Sequence, residues 1–270
     1  MSEYRKRHAG PVAVGICGAQ GCGKSTISLF LCNWLMREEG LTSAVLSLDD
    51  LYLGKAERLQ LSQTVHPLFA VRGVPGTHDV QAGAEILQAL TGKVRTRVAI
   101  PVFAKSLDDR LPEPDWREID APVDVVLFEG WCVGVRPQPE NELLEPVNDL
   151  ERLQDPDGTW RRTVNDRLGD DYRRMFDMLD ALILLRVPSF EKVLEWRGLQ
   201  ERKLRTASGA GQSDAELAEF IQYYERLTRH ALATLPDIAD IVVDIGDDHS
   251  PTSLSTGSNS RLVLQGPQFD

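Results

Sequence analysis

Residues 15–26 read GICGAQGCGKST, and Gly18, Gly23, Lys24 and Ser25 fall at the spacing G-x-x-x-x-G-K-[ST]. Glycines at 18, 21 and 23 carry no Cβ, so the backbone N–H groups of such a loop can turn inward around a phosphate. Lys24 has the reach to meet β- and γ-phosphates, and the Ser25 hydroxyl can ligate the Mg²⁺ that accompanies them. Cys22 and Thr26 complete the loop, with Cys22 read as a small filler.

The chemistry needs a strand before the loop and a helix after it. Residues 12–17 form an apolar run suited to a buried parallel strand. Ile27, Phe30, Leu31, Trp34 and Leu35 recur at helical spacing and predict an apolar stripe, with Gly40 placed to end the helix. The helix N-terminus would add its partial positive charge to the anion site.

Carboxylates follow two further apolar runs. Ser47 to Leu53 reads SLDDLYL; a kinase-type reaction needs a carboxylate to receive an acceptor proton or hold a metal-bound water. On an extended segment Asp49 and Asp50 would point opposite ways, and Asp49 is favoured as the one facing the loop. Val125 to Trp131 reads VVLFEGW, which places Glu129 at the end of a buried strand where a Mg²⁺-side carboxylate belongs. Between them, HPLFAVRGVPGTHD brings His66, Arg72, His78 and Asp79 around a Pro75–Gly76 type II turn, and VFAKSLDDR adds Lys105 and Arg110. Together with Tyr52 these residues predict a cationic pocket for a small carboxylate. WRGLQERKLR concentrates Arg197, Arg202, Lys203 and Arg205 before a TASGAGQ stretch. It reads either as a lid closing arginines over a triphosphate or as a solvated helix with pairs such as Glu201–Arg205.

The chain has 270 residues, 42% of them hydrophobic, and a formal net charge of −11. That balance argues against nucleic acid or an anionic membrane as partner. No apolar run approaches a membrane span, and the basic first ten residues lack the apolar segment of a secretory leader. Cys17, Cys22, Cys32 and Cys132 show no metal-ligand spacing and read as reduced thiols of a cytoplasmic protein. Apolar runs at 12–17, 44–48, 123–128, 181–187 and 238–245 alternate with helical patterns, which predicts an α/β fold with helices on both faces of a parallel sheet. Segment 135–158 reads as a surface excursion, 163–179 as one helix, 206–212 as a flexible loop and 247–259 as a mobile stretch. Ser213 and Glu216 form a capping box ahead of another helix.

The ordered set GAQGCGKST, SLDD-x-Y, HP-x₄-RG-x-PGTHD, P-x₃-KS, VVLFEGW and WR-x₃-E-x₃-R resembles the D-glycerate 3-kinases. These P-loop kinases group with uridine kinase, pantothenate kinase and phosphoribulokinase. The likeness runs from about Val12 to Leu235, and RGVPGTHD is its most specific piece. It departs at Ala104, where the family pattern carries Asp, and over 105–110, which is shorter and lacks glycines. The resemblance implies a single P-loop NTPase domain with a central five-stranded parallel sheet and ATP phosphates at Gly21–Thr26. It implies Asp49 facing the acceptor hydroxyl, Glu129 near the metal, and Arg197 and Arg205 in a lid-like segment. Nucleoside, pantothenate or sugar-phosphate acceptors remain as alternatives, as does a nucleotide-gated binding module with no small acceptor.

Overall fold

The computed structural model describes residues 10–208, 213–258 and 260. The basic N-terminal run to residue 9 and residues 209–212 of the TASGAGQ stretch lie outside them. The elements in chain order are β1 (Val12–Gly18), α1 (Lys24–Glu38), β2 (Ser43–Ser47), α2 (Lys55–Thr64) and α3 (Val80–Leu90). Then come β3 (Thr96–Ile100), β4 (Phe103–Ala104), β5 (Asp109–Arg110), β6 (Arg117–Ala121) and β7 (Val125–Gly130). The remainder is α4 (Asp149–Gln154), α5 (Thr159–Gly169), α6 (Asp171–Phe176), β8 (Ala181–Arg186), α7 (Phe190–Ser208), α8 (Asp214–Ile238), β9 (Ile241–Ile245) and β10 (Pro251–Ser255).

The main sheet runs β10-β9-β8-β1-β7-β2. Its five strands from β9 to β2 are parallel, as the apolar runs require. β1 and β7 are buried along their whole length, and their alternate residues face opposite layers. Val126 and Phe128 enter one core, Val125 and Leu127 the other. A sixth strand, β10, pairs antiparallel with β9 at the edge. It occupies part of the stretch expected to be mobile: Arg186 and Ser253 both bond Asp244, which ties the edge together.

Three other expectations are corrected. Segment 135–158 is not a free excursion, because Leu143, Leu150, Glu151 and Asp155 are buried in it. Arg226 of α8 pairs with Glu151 at 2.6 Å, and Arg161 pairs with Asp155 at 3.0 Å, so its acids neutralise cations that α8 and α5 bury. The helix expected over 163–179 is two, α5 and α6, broken at Asp170. In α1 the expected stripe is only partly inward: Leu35 is buried, whereas Phe30 is 65% and Trp34 39% exposed. Ser28 and Cys32 take the inner face instead, and these small residues allow a close approach to β2, with Ser43 Oγ donating to the Cys32 carbonyl at 3.0 Å. Gly40 follows the helix at φ +65, the left-handed conformation that stops it.

Candidate active site

The glycine loop leaves the carboxyl end of β1 between β7 and β8, the crevice where doubly wound sheets bind ligands. Gly21 and Gly23 sit at φ +82 and +90, which side-chain-bearing residues rarely adopt. Gly23 caps α1 with no side-chain hydrogen bond, so among the described residues no side-chain cap competes for that helix start. Gly18 and Cys22 have a packing role: a Cβ on Gly18 would lie 2.6 Å from the buried Cys22 sulfur. The loop borders a cavity of about 420 Å³ lined by Lys24, Ser25, Thr26, Trp196, Arg197, Lys203 and His249, among others.

Sheet register fixes the acid next to this loop. Glu129 lies opposite Ile16 of β1 and Ser47 of β2. Its Oε1 accepts from Ser25 Oγ and from Ser47 Oγ, both at 2.9 Å. Its Oε2 is buried without a hydrogen-bond partner among the described residues. Such an orphaned oxygen beside a P-loop serine suits a divalent cation carried in by phosphates. Among the described residues no three His, Cys, Asp or Glu side chains cluster as a complete metal cage. Ser25 and Glu129 would therefore share the ion with the phosphates.

Asp49 is on a 3₁₀ turn, Leu48–Leu51, and not on an extended segment. The turn still separates the two acids: Asp50 goes to Arg117 at 3.3 Å, while Asp49 faces the loop. Asp49 Oδ1 accepts from the Tyr52 hydroxyl at 2.9 Å, and Oδ2 meets Lys105 Nζ at 2.5 Å. Burial pushes the Asp49 pKa up, but Lys105 and Lys24 outweigh it, with hydrogen bonds from Lys105 and Tyr52, and hold it at about 2. Burial likewise opposes the Lys24 charge; Cys22, Glu129 and Asp49 outweigh it and raise that pKa. Near neutral pH the pair is Asp49⁻ and Lys24⁺.

A second cavity, of about 850 Å³, opens beyond Asp49. Tyr52, Arg72 and Lys105 line it, as expected of an acceptor pocket, together with Arg58, Trp131, Phe220 and Tyr224. The other residues assigned to that pocket are turned elsewhere. His66 caps the Pro67–Ala70 turn, accepting from the Leu68 amide. Asp79 caps α3 through the Ala82 amide, and Arg110 donates to the Tyr52 carbonyl at 3.0 Å. His78 is buried; its Nδ1 shares a hydrogen bond with the Tyr172 hydroxyl and its ring stacks on Tyr52 at 4.5 Å. Burial drives its pKa down to about 3, against the pull of Asp49, so it brings no positive charge to an anion. Arg205 pairs with Asp214 at 2.8 Å and does not border either cavity, whereas Arg197 borders both.

The RGVPGTHD motif is therefore mostly scaffold. Val74 to Thr77 closes the expected turn with a 3.1 Å bond, and Gly76 sits at φ +100. Trp131 Nε1 donates to the Gly73 carbonyl, and the Tyr224 hydroxyl donates to the Arg72 carbonyl. A Cβ on Gly73 would fall 2.1 Å from that hydroxyl oxygen. Gly73→Ala should accordingly cost at least ~2 kcal/mol in urea unfolding. A loss below half of that would contradict the packing described.

His78 gives a pH dependence of stability. Below its ordinary value of 6.5 the unfolded chain protonates this ring, while the folded ring stays neutral down to about 3. The unfolded state then binds the extra proton, so stability falls as pH drops, by ~1.4 kcal/mol per unit. From pH 7 to pH 5 that is about 2 kcal/mol. His78→Asn should show a correspondingly flatter profile over this range, and equal slopes would count against it.

Several site residues carry no sequence signal. Gln20 occupies an unspecified loop position, yet both polar atoms of its amide are buried without a partner among the described residues, beside Lys24. Arg58 reads as an ordinary helix arginine, but it is 1% exposed and bonds the Leu53, Ala70 and Asp108 carbonyls. Asp108, at φ +53, pairs with both Arg58 and Arg72. It occupies the shortened stretch where the family pattern carries glycines.

A glycine cradle ahead of Lys24, with Glu129 and Asp49 around it and a second cavity beyond, defines a P-loop kinase. Comparison with family models gives no match. The chain is 33% identical to an uncharacterized kinase of Schizosaccharomyces pombe over 90% of its own length and 92% of the relative's. It is 30% identical over 89% of its length to a chloroplastic D-glycerate 3-kinase of Arabidopsis thaliana, of which it spans 54%. A solved D-glycerate 3-kinase from Cryptococcus neoformans superposes with a TM-score of 0.77 at 25% identity, covering 94% of each chain. The chain belongs to the D-glycerate 3-kinase family of P-loop kinases. Among its described residues no helix is long and apolar enough to cross a membrane.

Proposed function

We propose that the protein transfers the γ-phosphate of ATP to a hydroxyl of a small hydroxy acid, D-glycerate, giving 3-phosphoglycerate. One observation carries this reading: Lys24, Asp49, Lys105 and Arg197 line both cavities. A donor phosphate on one side and an acceptor hydroxyl on the other would meet at these four side chains. That is the arrangement phosphoryl transfer requires, since positioning and charge stabilisation supply most of the catalysis.

Lys24 would hold the β- and γ-phosphates against the start of α1. Ser25 and Glu129 would hold Mg²⁺, which when bound neutralises charge accumulating on the phosphates. Asp49, ionised and fixed by Tyr52, would orient the acceptor hydroxyl and receive its proton. Arg72, backed by Phe103 at 5.4 Å, would meet the acceptor carboxylate. Arg197 would stabilise the charge moving between the cavities. The four cysteines are buried and unpaired, which supports operation in a reducing compartment such as the cytoplasm.

ADP release measured over D-glycerate, L-glycerate, uridine and pantothenate, with ATP and Mg²⁺, tests the reading. D-glycerate should give the fastest acceptor-dependent release. A faster rate with uridine or pantothenate would replace the acceptor, and release independent of any acceptor would remove the kinase reading.

A further inference from the structure

The cavity bordered by the glycine loop is also lined by His249, which lies outside the family-like motifs. The turn between β9 and β10 folds back onto α7. Trp196 Nε1 donates to the Asp247 carbonyl at 3.3 Å, and Lys192 pairs with Asp247 at 3.3 Å. This anchoring lays the His249 ring over the Trp196 indole, with centroids 4.1 Å apart and planes inclined by 31°. Trp196 is 2% exposed, whereas His249 is exposed and borders the same cavity as Lys24 and Ser25. The glycine loop touches the base of this stack: a Cβ on Gly21 would approach Trp196 Cβ to 3.4 Å.

His249 is held at φ +66, a left-handed conformation that costs a residue with a Cβ. The Gly246 carbonyl accepts its amide, and Asp248 is occupied by Ser250, so the strain is fixed by the turn. Strain retained at a cavity edge is more common at ligand contacts than elsewhere.

We propose that the base of the bound nucleotide packs flat against the open face of His249, making it the third ring of a stack backed by Trp196. This rests on the proposed binding of ATP at the glycine loop. The phosphates would lie at Lys24 and the base at the β9–β10 turn, so the two ends of the ligand are held by separate parts of the chain. Trp196 adjoins Arg197, so the ring that backs His249 and the charge-bearing arginine share one turn of α7.

Calorimetric titrations of ATP and of inorganic tripolyphosphate into the full chain and its His249→Ala and His249→Gly variants separate the two ends. ATP should bind about tenfold more weakly to both variants, the usual effect of removing a ring from beneath a base. Tripolyphosphate should bind all three proteins within twofold. His249→Gly relieves the positive φ, so its Tm should match or exceed the parent's, showing that the lost affinity is not lost structure. Unchanged ATP affinity in both variants, or equal weakening of ATP and tripolyphosphate, would overturn this inference alone. Absence of binding by either ligand to the parent chain would overturn the nucleotide reading beneath it as well.

Discussion

Lys24→Ala is expected to lower kcat by about two to three orders of magnitude while the protein stays folded. Burial opposes its charge, but Cys22, Glu129 and Asp49 outweigh that and raise its pKa, so it is an ammonium ion near neutral pH. It lines both cavities, and no other lysine on the loop or α1 could substitute. An interaction that strengthens as charge builds on the transferred group lowers kcat more than it weakens ground-state binding. The check is steady-state kinetics beside a thermal melt. A variant with an unchanged melt and more than a tenth of the parental kcat would separate Lys24 from the transfer step.

Asp49→Asn should lower kcat by about 10²-fold and change the ATP Kd by less than about threefold. Asparagine can still accept from Tyr52, so the loss isolates the charge and the ability to take a proton. The pKa of about 2 adds a further expectation. Asp49 is already ionised above pH 4, so an acid limb in kcat between pH 5 and pH 8 would come from another group. The sign for stability is the usual carboxylate one: its contribution is present above the ordinary range near 4 and is lost as pH falls through about 2. Lys105→Met removes the leading cation and should move the Asp49 pKa upward. A kcat for Asp49→Asn within twofold of the parent's would remove Asp49 from the acceptor side.

The parts of the molecule legible in the sequence were those set by short-range pattern. β1 and β7 are buried on both sides, so they read as unbroken apolar runs, and the loop carrying Lys24 and the Glu129 carboxylate take their places from the carboxyl ends of those strands. The Ser213–Glu216 cap is a local hydrogen-bond exchange and was equally plain. The features that stayed hidden depend on partners distant in the chain. His78 and Asp79 look like pocket residues until Tyr172 and the start of α3 claim them. The acidity of 135–158 suggests a solvated loop unless Arg161 and Arg226 are known to lie against it. Phe30 and Trp34 share the helical period of Leu35, yet small residues at 28 and 32 decide which side of α1 meets the sheet. Residues 251–255 have little apolar content because an edge strand needs only one partner and no buried face.

A crystal structure with Mg²⁺ and a non-hydrolysable ATP analogue measures the central claim most directly. The β- and γ-phosphates should accept hydrogen bonds from the amides of the Gly21–Ser25 loop and from Lys24 Nζ. The metal should contact Ser25 Oγ and approach Glu129, and Asp49 should face the terminal phosphate across the junction of the two cavities. A nucleotide whose phosphates lie outside that loop, or whose terminal phosphate points away from Asp49, would contradict the account.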